Sequence, residues 1–292
     1  MKVLVTGASG QLGFDVCREL RQRGIEHRGL SSKELDIRDG AAVQRMLEEY
    51  RPDAVIHCAA YTQVDRAEEE PEQCFAVNAL GTRNIARACA AVGAKLLYIS
   101  TDYVFPGTGE RPYEPEDETG PLGIYGKSKL EGEHAVRELL DRFFIVRISW
   151  AFGINGGNFI RTMLRLSETV DTVRVVADQV GSPTYTADLA PLLCDMIQTE
   201  KYGIYHASNE GFCSWAELAE AVFAAAGRQT KVQRVTTAEY GAKAPRPHNS
   251  RLSKTKLPER GFCPLPWWQD GLKRFLEEMI ASKEHSGAEN RD

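Results

Sequence analysis

A doubly wound parallel α/β sheet, with a smaller lobe built by the C-terminal part of the chain, is the fold this sequence predicts. Short, nearly continuous apolar runs alternate with helical patterns through the first half, as strands buried on both faces of a parallel sheet require. A glycine-punctuated turn, "VTGASGQLG", joins the first run to the first helix. The alternation loosens after Trp150, where loops and isolated helices take over.

The strand-like runs are "KVLVT" (2–6), "IEHRGL" (25–30), "DAVIHCAA" (53–60), "KLLYIS" (95–100) and "FFIVRIS" (143–149). Helical patterns fill the gaps at Gln11–Arg23, Gly40–Tyr50, Pro71–Val92 and Tyr125–Leu140. Right-handed crossovers between such units give helices on both faces. Beyond Trp150, "INGGNFIRTMLRL" reads as a loop entering a helix and "DQVGSPTYTADLA" as a loop capped by another, while "YGIYHAS" (202–208) reads as a strand. "SWAELAEAVFAAAG" opens with a capping box, Ser214 as N-cap and Glu217 three residues on, and stops at Gly227. "APRPHNSRL" is a proline-punctuated basic loop, and "WWQDGLKRFLEEMI" a closing amphipathic helix. The expected division is a dinucleotide-binding domain over 1–150 to which later segments return, a substrate-binding lobe mainly over 151–283, and a flexible tail at 284–292.

With 292 residues and a net charge of −5, the chain gives no electrostatic reason to expect nucleic acid or an anionic membrane surface. No apolar run reaches membrane-spanning length, and the N-terminus enters a strand without signal-peptide anatomy. The seven cysteines are scattered singly, which argues against a disulfide framework. The expectation is a reduced, soluble, cytoplasmic protein.

Gly7, Gly10 and Gly13 stand between the first strand and first helix. Glycines there permit a tight turn and let backbone N–H groups and the helix N-terminus approach a diphosphate, which makes the sheet Rossmann-like. A tight turn that binds nothing is the bland alternative. Many NAD sites carry an acid at the end of the second strand, to hold the ribose hydroxyls. Here Ser31, Ser32 and Lys33 occupy that region, and two hydroxyls with an ammonium suit a 2′-phosphate, so NADPH is favoured. Asp36 follows closely and leaves NADH use open.

The stretch "IYGKSKLEGE" places Lys129 one helical turn after Tyr125, on the same face, with Lys127 on another. Alone, this is an ordinary solvated helix. Thr101, however, ends a strand on the rim where ligands bind in such sheets, and Tyr125 opens the next helix from that side. A free phenol titrates near ~10, and a neighbouring ammonium would lower that value toward a useful proton donor. Thr101 could hydrogen-bond a carbonyl oxygen, and Lys129 the nicotinamide ribose.

Taken together, "GASGQLG", "STDYVF" and "YGKSK" resemble the extended short-chain dehydrogenase/reductase family. "AAYTQVDRAE", "VNALGTRNIA", "RISWAFG", "DQVGSPT" and "RPHNSRL" extend the likeness over residues 1 to roughly 275, and within the family it points to the reductases of dTDP-4-dehydrorhamnose. The resemblance implies that Gly7, Ser9, Gly10, Gln11 and Leu12 wrap the pyrophosphate and that Asp36 and Ile37 flank the adenine. It implies that Ala59, Ala60 and Tyr61 approach the nicotinamide ribose, and that Thr101, Tyr125 and Lys129 form the catalytic triad. Trp150 would pack on the deoxysugar, with Asp102, Asn158, Arg246 and Asn249 in segments bordering the nucleotide-sugar substrate. Asn78 is implied as a structural or proton-relay residue. Related dehydratases follow the threonine with Asp-Glu, whereas Asp102 is followed here by Tyr103, so simple reduction fits better than dehydration. A non-catalytic NADP-binding regulatory subunit, and a reductase or epimerase for another nucleotide deoxysugar, stay open. Some family members bind magnesium at a dimer interface; Asp15 matches one ligand position, but Ala187 stands where another acid is expected. That departure argues against a metal and leaves monomer and homodimer both open.

Overall fold

The computed structural model describes residues 1–289. Its centre is a six-stranded, wholly parallel sheet of β1 (Lys2–Thr6), β2 (Glu26–Leu30), β3 (Ala54–His57), β4 (Lys95–Thr101), β5 (Phe143–Ile148) and β6 (Gly203–His206). The order across the sheet is β2-β1-β3-β4-β5-β6. Only β2 lies outside β1, because the chain leaves β2 through residues 31–39, forms α2 (Gly40–Tyr50) and crosses straight to β3. The reversal of direction at β1 opens a crevice above the C-terminal ends of β1 and β3.

Alternation within the strands explains why both faces are covered. In β1, Val3 and Val5 face one apolar cluster while Leu4 faces another, and all three are fully buried. The first cluster collects Leu12, Val16 and Leu20 of α1 (Gln11–Gln22) with Leu189 and Leu193 of a later helix, Thr186–Ile197. The second collects Val43 and Leu47 of α2, Ile85 and Cys89 of α3 (Thr82–Val92), and Val136 of α4 (Ile124–Leu139). The strand expected at 202–208 is β6, which pairs with β5 and so brings late sequence back into the main sheet.

A third cluster holds the smaller lobe together. It packs α5 (Phe159–Leu166), the Thr186–Ile197 helix's leading residue Tyr185, and the helix Trp215–Ala225 against Trp268, Leu272 and Phe275 of the final helix. The capping box of Trp215–Ala225 forms as expected: Ser214 Oγ accepts from Glu217 N–H, and the Glu217 carboxylate accepts from Ser214 N–H at 2.6 Å. The final helix runs Trp268–Glu289, so residues 284–289, expected in a tail, are helical; 290–292 of that segment lie outside the described residues.

The helix expected over Pro71–Val92 runs without a gap, but between Pro71–Phe75 and α3 it widens into a π-helical turn at Ala76–Gly81. Asn78, buried within that wide turn, accepts from Tyr61 N–H (2.8 Å) and donates to Tyr61 O and Ser128 Oγ, both at 3.0 Å. Its amide thus clamps the loop after β3 to the start of α4. π-turns of this kind concentrate at functional sites, where they re-aim a backbone.

Candidate active site

A cleft of about 970 Å³ lies over the C-terminal ends of β1, β3, β4 and β5 and is closed on the far side by the smaller lobe. Its walls bring together residues from Thr6 to Trp215.

The cleft's floor at one end is the glycine turn. Gly7 has φ +69°, and a Cβ there would stand 2.7 Å from Ala59 N. Gly13 packs on the Gly7 peptide so tightly that a Cβ would stand 2.7 Å from the Gly7 carbonyl carbon and 2.9 Å from Ala8 Cα. The N-cap of α1 is Gly10, no side chain caps the helix, and its first turn carries no acid. Its leading N–H groups and positive dipole end are therefore open to an anion. A dinucleotide diphosphate fits this cradle, with Gly7, Ser9, Gly10 and Leu12 all on the wall. Gln11 also lines the cleft, but its side-chain oxygen accepts from Gly153 N–H (2.8 Å) and Asn158 Nδ2 (3.0 Å), tying the turn to the smaller lobe. Asn155 adds a second tie by donating to Ser9 O at 2.9 Å.

At the end beside β2, Asp36 and Ile37 line the cleft, as does Ser32. Ser31 and Lys33 lie off its wall, and the Ser31 hydroxyl and N–H are both given to Glu34 at 2.7 and 2.8 Å. The cation that does reach the wall is Arg38, which grips Asp36 (Nη2–Oδ2 2.6 Å) and holds that carboxyl below its usual range. Ala59, Ala60 and Tyr61 form the opposite wall. The clamp by Asn78 fixes Tyr61, whose hydroxyl donates to Glu70 at 3.0 Å.

Thr101, Tyr125 and Lys129 converge at the middle of the cleft, together with Asp102. β4 delivers Thr101 as its last residue, and α4 begins at Ile124, so Tyr125 and Lys129 share the face turned to β4 while Lys127 is exposed. Lys129 is 2 % exposed. Its ammonium donates to Ile99 O at 2.7 Å and lies 4.2 Å from the centroid of the Tyr98 ring. Burial lowers its pKa to about 7, against which the Glu133 carboxylate pulls upward. Glu133 is itself clamped bidentately by Arg147 (2.7 and 2.8 Å), both residues off the cleft wall, with Ser100, which lines the cleft, donating at 2.5 Å. The Tyr125 phenol is shifted upward by burial, with the Thr101 hydrogen bond opposing. This differs from the lowering by Lys129 expected from spacing alone, because the ammonium is turned toward a strand carbonyl. Tyr103 meets Tyr125 edge-on, with ring centroids 5.5 Å apart.

Trp150 lies on the wall in a left-handed backbone conformation, φ +46°, which a bulky residue adopts only when its surroundings force it. The indole is held between Gly181, where a Cβ would meet it at 2.9 Å, and the stacked ring of Trp215, 3.7 Å away. Trp215 also lines the cleft, as do Asn155 and Arg38; sequence reading passed over all three. For Trp215 a signal existed, an aromatic residue placed immediately after the N-cap of a capping box. Asn158 reaches the cleft as N-cap of α5, its side-chain oxygen accepting from Arg161 N–H at 3.0 Å. Arg246 and Asn249 do not form the wall. Arg246 pairs with Asp65 (2.8 Å), and Asn249 donates to Arg111 O at 2.8 Å while accepting from Arg251, so both pin loops at the cleft's edge.

Asp15 tests the magnesium expectation. It is 1 % exposed, and Arg18 bridges its carboxylate (2.8 Å) to Glu278, which also accepts from Tyr185 OH. The guanidinium fills the space a cation would need, Thr186 donates to the remaining oxygen, and no metal-binding group of three His, Cys, Asp or Glu occurs among the described residues. Magnesium does not fit there. No helix among the described residues is long and apolar enough to cross a membrane.

Comparison with known proteins matches residues 1–281 to the RmlD substrate binding domain family. The chain is 44% identical over 281 residues to the spore coat polysaccharide biosynthesis protein SpsK of Bacillus subtilis, covering 96% of this chain and 99% of that one. It is 46% identical over 276 residues to a dTDP-4-dehydrorhamnose reductase of Streptomyces griseus, covering 92% and 91%. Among solved structures, a dTDP-4-dehydrorhamnose reductase from Bacillus anthracis in complex with NADP superposes with a TM-score of 0.92 at 46% identity, over 95% of this chain and 99% of that one. A UDP-glucose 4-epimerase from Thermus thermophilus in complex with NAD gives 0.83 at 25% identity, over 96% and 99%.

Proposed function

We propose, from the premise that this chain belongs to the RmlD substrate binding domain family of the extended short-chain dehydrogenase/reductases, that it reduces the C4 ketone of dTDP-4-dehydro-L-rhamnose to give dTDP-L-rhamnose. The observation that carries the reading is the convergence of Thr101, Tyr125 and Lys129 on one cleft whose other end is an open diphosphate cradle. The named relatives set the sugar, and the NADP complex of the Bacillus anthracis relative supports NADPH as the reductant.

When bound, the reduced nicotinamide supplies a hydride to the sugar ketone. The chain's residues then do four things. The α1 N-terminus and the glycine turn bind the diphosphate. Ala59–Tyr61, fixed by Asn78, and the Lys129 ammonium border the ribose next to the reacting ring. Tyr125 holds the proton that the nascent alkoxide needs, and its phenol is protonated throughout the neutral range. Because burial weakens it as an acid, the positive charge of Lys129 and of an oxidised nicotinamide would have to favour the phenolate as the proton leaves. Thr101 orients the ketone oxygen. Only one carboxyl stands beside Thr101, and Tyr103 occupies the next position, so the acid–base pair that water elimination would need is missing there. Asn78's amide is saturated by Tyr61 and Ser128, which favours a positioning role over proton relay.

The test is loss of reduced-nicotinamide absorbance with dTDP-4-dehydro-L-rhamnose, offering NADPH and NADH separately. Turnover, faster with NADPH, is expected. A preparation that binds NADPH yet oxidises neither cofactor would instead be a regulatory subunit or act on another sugar.

A further inference from the structure

The reductase reading assigns Thr101 to the ketone oxygen, yet in the structure its hydroxyl is already spent. Thr101 Oγ1 donates its one proton to Asp102 Oδ1 at 2.9 Å and accepts from Tyr103 N–H at 3.2 Å. While Asp102 is a carboxylate, it competes with the Tyr125 phenol for that proton, and a ketone oxygen above Thr101 faces only lone pairs.

Asp102 is poorly placed to remain a carboxylate. It is 2 % exposed, and its second oxygen, Oδ2, is buried with no hydrogen bond of good geometry, although the Ser250 hydroxyl lies near the carboxyl. An unpartnered buried carboxylate oxygen is costly, and a proton on the group is the simplest remedy. Among the described residues no cation pairs with it. From α4 it faces the neutral phenol of Tyr125, and from its own turn that of Tyr103. The Arg246 guanidinium pairs with Asp65 and hydrogen-bonds the Tyr103 phenol, not Asp102. The Ser250 hydroxyl and the N–H groups of residues 102 and 103 favour the ionised form, but burial outweighs them and lifts the pKa to about 6.

We propose that Asp102 is a positioning residue whose protonation decides whether the Thr101 hydroxyl points at the carboxyl or at the substrate's ketone oxygen. As a carboxylic acid, Asp102 gives its own proton in a hydrogen bond to Thr101 Oγ1. That oxygen then accepts from Asp102 and Tyr103, and its proton turns to the ketone. No covalent bond changes in this switch: the proton stays on Asp102, and the alkoxide takes its proton from Tyr125. The inference rests on the reductase reading, with Asp102 acting through Thr101 and not on the sugar directly.

Single-turnover hydride transfer measured from pH 5.5 to 8.5 tests it. In the wild type the rate falls with rising pH, by up to about tenfold per unit above the Asp102 transition, until it levels at the rate without a Thr101 donor. Asp102→Asn cannot switch, so its profile loses that limb. Thr101→Val loses it too with Asp102 intact, and Asp102→Asn then adds no further change in the Thr101→Val background. Lys129 also titrates in this range, which is why the decision rests on these variants and not on the wild-type profile alone. NADPH binding, monitored by fluorescence, establishes that each variant is folded. If Thr101→Val keeps the wild-type limb, or Asp102→Asn acts equally in both backgrounds, Asp102 does not work through Thr101 and the proposal fails. Should the wild type show no turnover at any pH, the reductase reading fails first.

Discussion

Gly13→Ala isolates the close approach of helix and turn on which the diphosphate cradle depends. Within a helix, glycine to alanine ordinarily stabilises by about 1 kcal/mol. Here the new methyl would overlap the Gly7 carbonyl oxygen and stand 2.7 Å from its carbon and 2.9 Å from Ala8 Cα. All three are backbone atoms of the turn itself, so no side-chain rotation relieves the overlap. α1 must shift outward, and Leu12, Val16 and Leu20 on its inner face, the last two fully buried, shift with it. Overpacking of this kind costs about 1–3 kcal/mol, and a backbone clash belongs at the upper end. The net expectation is a loss of ~2 kcal/mol in urea unfolding together with NADPH affinity at least ~10-fold weaker, because the helix N-terminus leaves the turn. Unchanged stability and unchanged affinity would mean that the helix does not need this contact and that the cradle is misread.

Four further outcomes follow from the same geometry. Tyr125→Phe lowers turnover by about 10²–10⁴ with NADPH affinity unchanged, checked by steady-state rates and fluorescence titration. Lys129, with its pKa lowered to about 7 from 10.5, lacks in the folded state a proton that the unfolded chain holds between those values. Unliganded stability therefore gains from this group as pH rises from about 7, and the Lys129→Met variant, compared by urea midpoints across pH 7–9, loses that slope. Arg147→Met strands the buried Glu133 carboxylate and destabilises by about 3–5 kcal/mol, read from the shift in urea midpoint. Because Arg18 fills the space between Asp15 and Glu278, neither chelator nor added magnesium moves the melting temperature of the wild type.

The parts of this architecture visible in the sequence are those set by local chemistry. The strand–glycine–helix unit at 2–22, the Ser214–Glu217 capping box and the shared face of Tyr125 and Lys129 each follow from neighbours within a few residues. What stayed hidden depends on distant partners. Lys129 lies on the expected face, but its ammonium direction is set by a β4 carbonyl 30 positions away. The π-turn at Ala76–Gly81 exists because Asn78 must reach Tyr61 and Ser128 together, which no helical periodicity encodes. Arg246 sits in a basic loop whose path is fixed by Asp65, so sequence placed it at the substrate while the fold gives it to a carboxylate at the edge. Ser31 and Lys33 failed to reach the cleft for a nearer reason: Glu34 takes the serine, and the turn presents Arg38 in their place. Trp215 joins Trp150 only through folding of the smaller lobe, although a tryptophan opening a capped helix was a usable hint.

The most direct test of ketone reduction in this cleft follows the hydrogen itself. Deuterated NADPH is incubated with dTDP-4-dehydro-L-rhamnose and the wild-type chain, and the sugar product is examined by mass spectrometry and proton NMR. The account predicts one deuterium, located at C4 of dTDP-L-rhamnose, with formation slowed in Tyr125→Phe. Label at another carbon, or product formed without label, would contradict it.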